Sequence, residues 1–223
     1  MSSESAFRDG LGAGFQLIET MRWEPQGGFL RHGRHLARLK ASAQALGFVF
    51  DQMSIEQALA RSVAGDTALR TRLVLSPDGH ADITVQPFVP LPPDVIWSLR
   101  IGKTRLDSSN RLLRHKTTNR AAYDAARGEF ASNQADEVIL LNESGAVCEG
   151  TITSVFVDFG DGPLRTPQLS CGLLAGVLRG DLIDRGEAVE AEIPASDLKF
   201  AKAIWVGNSL RGLIRTILVH APV

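Results

Sequence analysis

Hydrophobic positions along this chain follow two rhythms, and each rhythm predicts an element. Residues 15–23 read Phe-Gln-Leu-Ile-Glu-Thr-Met-Arg-Trp, dense in large apolar and strand-favouring side chains, and predict a strand. Gly27-Gly28 then marks a turn. From His32 onward the spacing changes. Leu36, Leu39, Ala43 and Leu46 recur at helical intervals, and Gly47 is the residue expected to end that helix. A second helix is predicted with Ser54 as its N-cap, running to about Ala64. Strands are predicted over residues 69–75 and 82–88, joined by the turn sequence Ser76-Pro77-Asp78-Gly79.

Val89-Pro90-Leu91-Pro92-Pro93 cannot continue the interior of a sheet. It predicts an edge or a passage between lobes, with a boundary in the region 90–106. The second half mixes a helix over 119–130, a hairpin from 137–141 through Asn142-Glu143-Ser144-Gly145, and a strand over 151–159. A helix over 176–185 follows, then strands near 189–193, 203–206 and 213–219. Strands and helices do not alternate cleanly, so the pattern predicts an α+β fold in two lobes, residues 1–100 and 101–223, not a doubly wound sheet.

Charge narrows the function classes. With 24 basic and 25 acidic residues, the net charge is −1, which gives no electrostatic footprint for nucleic acid or a membrane surface. The apolar runs are short, and none approaches the ~20 residues of a membrane span. Met1-Ser2-Ser3-Glu4-Ser5 lacks the basic and apolar regions of a secretory signal. Cys148 and Cys171 have neither metal-ligand nor disulfide-framework spacing, so a cytoplasmic protein with reduced thiols and no bound metal is expected.

Two stretches carry candidate chemistry. In Leu113-Arg114-His115-Lys116-Thr117-Thr118-Asn119-Arg120, a lysine stands among polar neighbours just ahead of a helix start. Flanking cations such as Arg114 and Arg120 favour a neutral, nucleophilic amine at Lys116 if it lies in a cleft; otherwise it is an ordinary surface lysine. In Cys148-Glu149-Gly150-Thr151-Ile152-Thr153, Glu149 interrupts an apolar strand pattern. It reads as an exposed strand-end carboxylate or as a buried one with a task. A lysine that forms a Schiff base and a carboxylate that grips a pyridinium nitrogen are the two protein groups that pyridoxal phosphate chemistry most needs. Cys171-Gly172-Leu173-Leu174-Ala175-Gly176-Val177-Leu178-Arg179 leads from a glycine turn into a helix, where unbonded N–H groups attract phosphate. Gly207-Asn208-Ser209, after a strand, offers a second such turn. Arg38, on the first helix, can supply a phosphate's countercharge or simply face solvent.

Together these stretches resemble the class IV aminotransferase family, the fold-type-IV pyridoxal phosphate enzymes, across nearly the whole chain. His35-Leu36-Ala37-Arg38-Leu39 resembles the family's phosphate-arginine helix, and Glu149-Gly150-Thr151 its pyridine-nitrogen segment. Lys116 matches its Schiff-base lysine, Leu174-Ala175-Gly176-Val177-Leu178 its ring-stacking and phosphate loop, and Gly207-Asn208 its last phosphate-contact turn. The resemblance implies a D-amino acid aminotransferase-like fold, with a small N-terminal α/β sandwich and a larger C-terminal pseudo-barrel lobe. It implies pyridoxal 5′-phosphate held by Arg38, Lys116, Glu149, Leu174, Gly176, Val177, Leu178 and Asn208, with Lys116 catalytic. It also implies a homodimer.

The wording of Leu17-Ile18-Glu19-Thr20-Met21-Arg22-Trp23, His115–Arg120 and Gly207-Asn208-Ser209-Leu210-Arg211-Gly212 is most like the aminodeoxychorismate lyases, the kind that work beside aminodeoxychorismate synthase. That implies a small amino substrate whose carboxylates would meet Arg211 and Arg105, with Thr118 (and its neighbour Thr117) also on the substrate side. Lys116 would remove the α proton as general base, and loss of pyruvate would leave 4-aminobenzoate. An aminotransferase acting on D- or branched-chain amino acids is the near alternative, and a non-catalytic dimeric module the distant one. Three departures stand out. The family's opening strands before Phe15 are short. Ser154 replaces a frequent asparagine. Ala121 replaces the tyrosine that branched-chain enzymes carry five residues after the lysine.

Overall fold

The computed structural model describes residues 14–219. Expectations about Met1–Ser5 and the strands ahead of Phe15 lie outside the described residues. The chain divides into two compact units, one of residues Met1–Val89 with His115–Asn119, the other of Pro90–Arg114 with Arg120–Val223.

The first unit holds a four-stranded antiparallel sheet in the order β2–β1–β3–β4, from β1 (Leu17–Glu24), β2 (Gly28–Phe29), β3 (Leu69–Leu75) and β4 (Ala81–Pro87). Strand β3 buries Leu69, Thr71, Leu73 and Leu75 and leaves the residues between half-exposed, the period-two signature of a sheet covered on one face. Helix α1 (His32–Leu46) covers it with Leu36, Leu39, Ala43 and Leu46, each burial of a leucine contributing roughly 1.5–3 kcal/mol. Gly47 at φ 75° ends α1 in the left-handed conformation, and its N–H donates to Ala43 O. Helix α2 (Gln52–Ser62) starts earlier than the sequence reading placed it. Asp51, not Ser54, is the cap: its carboxylate accepts from the N–H groups of Met53 and Ser54, and the Ser54 hydroxyl donates to it as well.

The second unit carries a curled eight-stranded mixed sheet in the order β10–β9–β8–β11–β12–β5–β6–β7. Its strands are β5 (Ile96–Leu106), β6 (Glu137–Asn142), β7 (Val147–Gly150), β8 (Ser154–Asp158), β9 (Leu164–Pro167), β10 (Ala188–Ala191), β11 (Ala203–Asn208) and β12 (Gly212–Leu218). Helices α3 (Ala121–Gly128) and α4 (Val177–Asp184) complete it. Leu99, Ile139, Val155, Val206 and Ile214 form the centre of its largest apolar cluster.

Four expectations change here. The stretch read as a passage between lobes contains β5, an interior strand that pairs in parallel with both β12 and β6. Its register shifts between Ile101 and Arg105, so Gly102, Lys103 and Arg105 blur the apolar alternation that would have revealed it. Strand β9, with Arg165 and Pro167 among its four residues, was likewise missed. Helix α3 begins at Ala121, not at 119, with Arg120 at the N-cap position and no side-chain cap hydrogen bond. Residues 151–153 form a bend, not the start of β8, for a reason that lies in the site. No helix among the described residues is long and apolar enough to cross a membrane. Cys148 and Cys171 are free and buried.

Candidate functional site

In the first unit, helical spacing puts His35 and Arg38 on one face of α1, and both reach Glu19 of β1. Arg38 grips the carboxylate with two prongs, Nε to Oε1 at 2.8 Å and Nη2 to Oε2 at 2.6 Å. His35 Nδ1 lies 2.7 Å from Oε2. Burial alone would raise the Glu19 pKa, but the Arg38 charge and the His35 and Arg38 hydrogen bonds overcome it and bring it to about 2. Burial lowers the His35 pKa against the pull of Glu19, and the positive Arg38 and Lys116 lower it further. At neutral pH the cluster is therefore an ionised Glu19, a charged Arg38 and a neutral imidazole that donates from Nδ1.

Lys116 stands on a strip that is laced to the start of β1. Its carbonyl accepts from Ile18 N at 2.9 Å, and Thr118 N donates to Gln16 O at 2.9 Å. Thr118 Oγ1 accepts from Gln16 N, and His115 Nδ1 meets Ser42 Oγ of α1 at 3.0 Å. The Lys116 backbone is thus held rigidly beside the strand that carries Glu19. The Thr118 hydroxyl is part of that lacing.

In the second unit, Glu149 is 5% exposed at the end of β7. Its Oε1 accepts from Tyr123 Oη at 2.8 Å and from Leu174 N at 3.1 Å. The bend after it is organised by Glu137, which is fully buried. The Glu137 carboxylate accepts from Thr151 N (3.0 Å), Thr151 Oγ1 (2.5 Å), Ile152 N (3.2 Å) and Thr153 Oγ1 (2.8 Å). Those bonds turn residues 151–153 away from the ladder, which is why the strand expected there breaks. Arg120 Nη2 holds Thr151 O at 2.6 Å.

The glycine turn and helix expected to cradle phosphate lie against this bend. Gly176 caps α4, and a Cβ there would collide with Ser154 Oγ. A Cβ on Gly207 would lie 2.6 Å from Gly212 O and 2.9 Å from Leu178 Cδ2. These are close backbone approaches that only glycine allows. Val177 and Leu178 bury their side chains, Leu178 in the cluster of Phe156 and Leu182. What they can offer a ligand is the N–H groups of a first helical turn. Asn208 Oδ1 accepts from Leu210 N and Arg211 N, and its Nδ2 donates to Ile152 O at 3.2 Å, so this side chain ties the last turn to the bend.

Glu149, Leu174, Gly176, Leu178 and Asn208 are thereby gathered in one unit, and Arg38 and Lys116 in the other. Arg105 joins neither group. It is exposed, and its Nη1 donates to the carbonyls of Gly102 and Lys103 in its own bulge at 2.7 and 2.9 Å. Arg211 is half-buried with its guanidinium 6.0 Å from the Trp97 ring centre. Sequence reasoning missed Glu19, Glu137 and Tyr123, and named Arg120 only as a cation flanking Lys116, whereas its Nη2 holds Thr151 O. Glu19 interrupts an apolar strand run, the same signal that drew attention to Glu149, whereas Glu137 only opens one. Arg120 and Tyr123 carried no such signal.

A model of the family described as amino-transferase class IV matches residues 16–217. A Schizosaccharomyces pombe protein assigned as an aminodeoxychorismate lyase is 30% identical over 194 residues, 84% of either chain. A solved structure from Mesorhizobium loti, assigned as an amino-acid aminotransferase, is 56% identical. It covers 92% of this chain and 100% of its own, with a TM-score of 0.90. The 4-amino-4-deoxychorismate lyase of Pseudomonas aeruginosa shares the fold at a TM-score of 0.78 and 24% identity, over 98% of this chain and 87% of its own.

Proposed function

This chain belongs to the amino-transferase class IV family, and from that premise we propose that it is an aminodeoxychorismate lyase, which releases pyruvate from 4-amino-4-deoxychorismate and leaves 4-aminobenzoate. The enzymes of this family depend on pyridoxal phosphate, and this chain is one of them. The residues present fit the cofactor. Glu149 is a buried carboxylate with two donors on one oxygen, and α4 starts at Val177 with the N–H groups of a first helical turn, which suit a phosphate. When bound, pyridoxal phosphate supplies an electron sink for a carbanion at the substrate's α carbon.

The roles of the chain's own residues follow. Lys116 Nζ would hold the cofactor and would take the substrate's α proton as general base. Glu149 keeps a proton on the ring nitrogen. Arg38, whose Nε and Nη2 are held by Glu19, would supply a phosphate's countercharge, and the first turn of α4 would offer its N–H groups to a phosphate. Arg211 takes a substrate carboxylate. Loss of pyruvate makes the ring aromatic, a driving force that transamination lacks. The reading extends to a cytoplasmic homodimer that works beside aminodeoxychorismate synthase, as the family resemblance implies.

The observation that carries the lyase reading is the 30% identity to the assigned Schizosaccharomyces pombe lyase over 84% of both chains. An amino-acid aminotransferase is the second reading, favoured by the 56% identity to the Mesorhizobium loti protein. One experiment separates them. With aminodeoxychorismate as sole substrate, the lyase releases pyruvate with no keto acid added, and Lys116→Ala abolishes both turnover and the visible absorption of the bound cofactor. Turnover that depends on an added keto acid rejects the lyase.

A further inference from the structure

Helix α3 reaches the end of β7 with two side chains. Arg120, at the residue that precedes the helix, donates from Nη2 to Thr151 O and lies 4.8 Å from the ring centre of Tyr123. Tyr123 donates its hydroxyl to Glu149 Oε1 at 2.8 Å, beside the N–H of Leu174 on the same oxygen. The Tyr123 ring packs against the apolar cluster of Leu106, Leu113 and Ala126, so the hydroxyl is aimed by packing and not by a mobile arm. The tyrosine that branched-chain relatives carry five residues after the lysine is absent, and Tyr123 is the single tyrosine of the chain.

We infer that Tyr123 is a positioning residue for Glu149, setting the plane and the basicity of the carboxylate that serves the cofactor's ring nitrogen. This rests on the proposed function. A carboxylate that accepts two directed donors on one oxygen cannot rotate without breaking both bonds. It is also a weaker base than a bare one, because donors stabilise its charged form. Burial and the negative Glu149 push the Tyr123 phenol above its ordinary value, so it remains a protonated donor across the working range. The relationship is distinct from electrostatic pairing: removing one hydroxyl leaves every charge in place and changes only the carboxylate's orientation and proton affinity.

The test uses the full chain. In cofactor-free protein, the single tyrosine gives an unmixed ultraviolet resonance Raman signature, which should report a strong hydrogen-bond donor that weakens in Glu149→Gln. Carbon-13 labelling of glutamate side chains, assigned with Glu149→Gln, should show Glu149 taking up a proton at higher pH in Tyr123→Phe than in wild type. With pyridoxal phosphate bound, Tyr123→Phe should move the nitrogen-15 shift of the ring nitrogen. It should also lower kcat about tenfold while KM moves much less, the cost expected for one hydrogen bond to a charged group. A tyrosine that reports no strong donor in wild type overturns the inference, even if Tyr123→Phe fails to fold. So does a folded Tyr123→Phe whose Glu149 titration and ring-nitrogen shift match wild type, and in that case the proposed function stands. A wild type that takes up no pyridoxal phosphate overturns the proposed function, and this inference with it.

Discussion

Arg38 holds Glu19 with a two-pronged ion pair, Nε to Oε1 at 2.8 Å and Nη2 to Oε2 at 2.6 Å, with the carboxylate almost wholly buried. The pair makes the first unit sensitive to acid. The Glu19 pKa falls from 4.5 to about 2 on folding, so its stabilisation is complete above about pH 4.5 and is lost as pH drops toward 2. A depression of this size corresponds to about 3 kcal/mol. His35 acts in the same direction, since its lowered pKa lets the unfolded chain bind a proton first as pH falls below 6.5. Urea melts at pH 6 and pH 3 should show this loss in wild type and a smaller pH dependence in Glu19→Gln. At pH 7 that variant should be less stable by about 3 kcal/mol, because Arg38 keeps its charge without its counterion. Equal pH slopes in the two proteins would refute the assignment.

Glu137 predicts a different failure. As Glu137→Gln, the side chain keeps its shape but presents an NH2 group where Thr151, Ile152 and Thr153 supply donors. Opposed donors in a buried site should cost about 2 kcal/mol. The bend after Glu149 should loosen and cofactor affinity should fall. Thermal melts and a pyridoxal phosphate titration check the two effects separately, and a variant that melts and binds as wild type does would contradict the role given to Glu137.

Gly176 and Ser154 should behave as a coupled pair. In Gly176→Ala the new methyl meets Ser154 Oγ, and cofactor affinity should drop about tenfold as the start of α4 is displaced. Ser154→Ala removes the obstructing oxygen. The double variant should recover part of the loss, giving a coupling energy of about 1 kcal/mol in a double-mutant cycle. Additive losses would mean that the two residues do not share the space.

Arg211 is tied by its backbone N–H to Asn208 and stacks toward Trp97. If it receives a substrate carboxylate, Arg211→Ala should raise KM about tenfold with a smaller change in kcat, the pattern of lost ground-state binding. Steady-state kinetics with aminodeoxychorismate checks this, and an unmoved KM removes Arg211 from the substrate side.

Local pattern was enough to reveal α1 and its Gly47 cap, the β3–β4 hairpin, and the strands β11 and β12, because each rests on spacing or turn chemistry within a few residues. It also singled out Lys116 and Glu149 by residue type and setting. It could not reveal β5, whose pairing on both sides comes from distant strands and tolerates a bulge that spoils the alternation. Arg105, offered for the substrate side with the lyase resemblance, has its Nη1 on the carbonyls of Gly102 and Lys103 in its own bulge, a contact no local pattern reveals.

Sequence alone therefore determined the α+β class, the order of most elements, and the lysine and glutamate whose chemistry suits pyridoxal phosphate. Tertiary structure decided what surrounds them. Glu19 lies 16 residues from His35 and Tyr123 lies 26 from Glu149, so no local periodicity connects the members of either pair. Only folding brings each carboxylate to its donors, and burial then makes those few bonds strong enough to fix its charge and its direction.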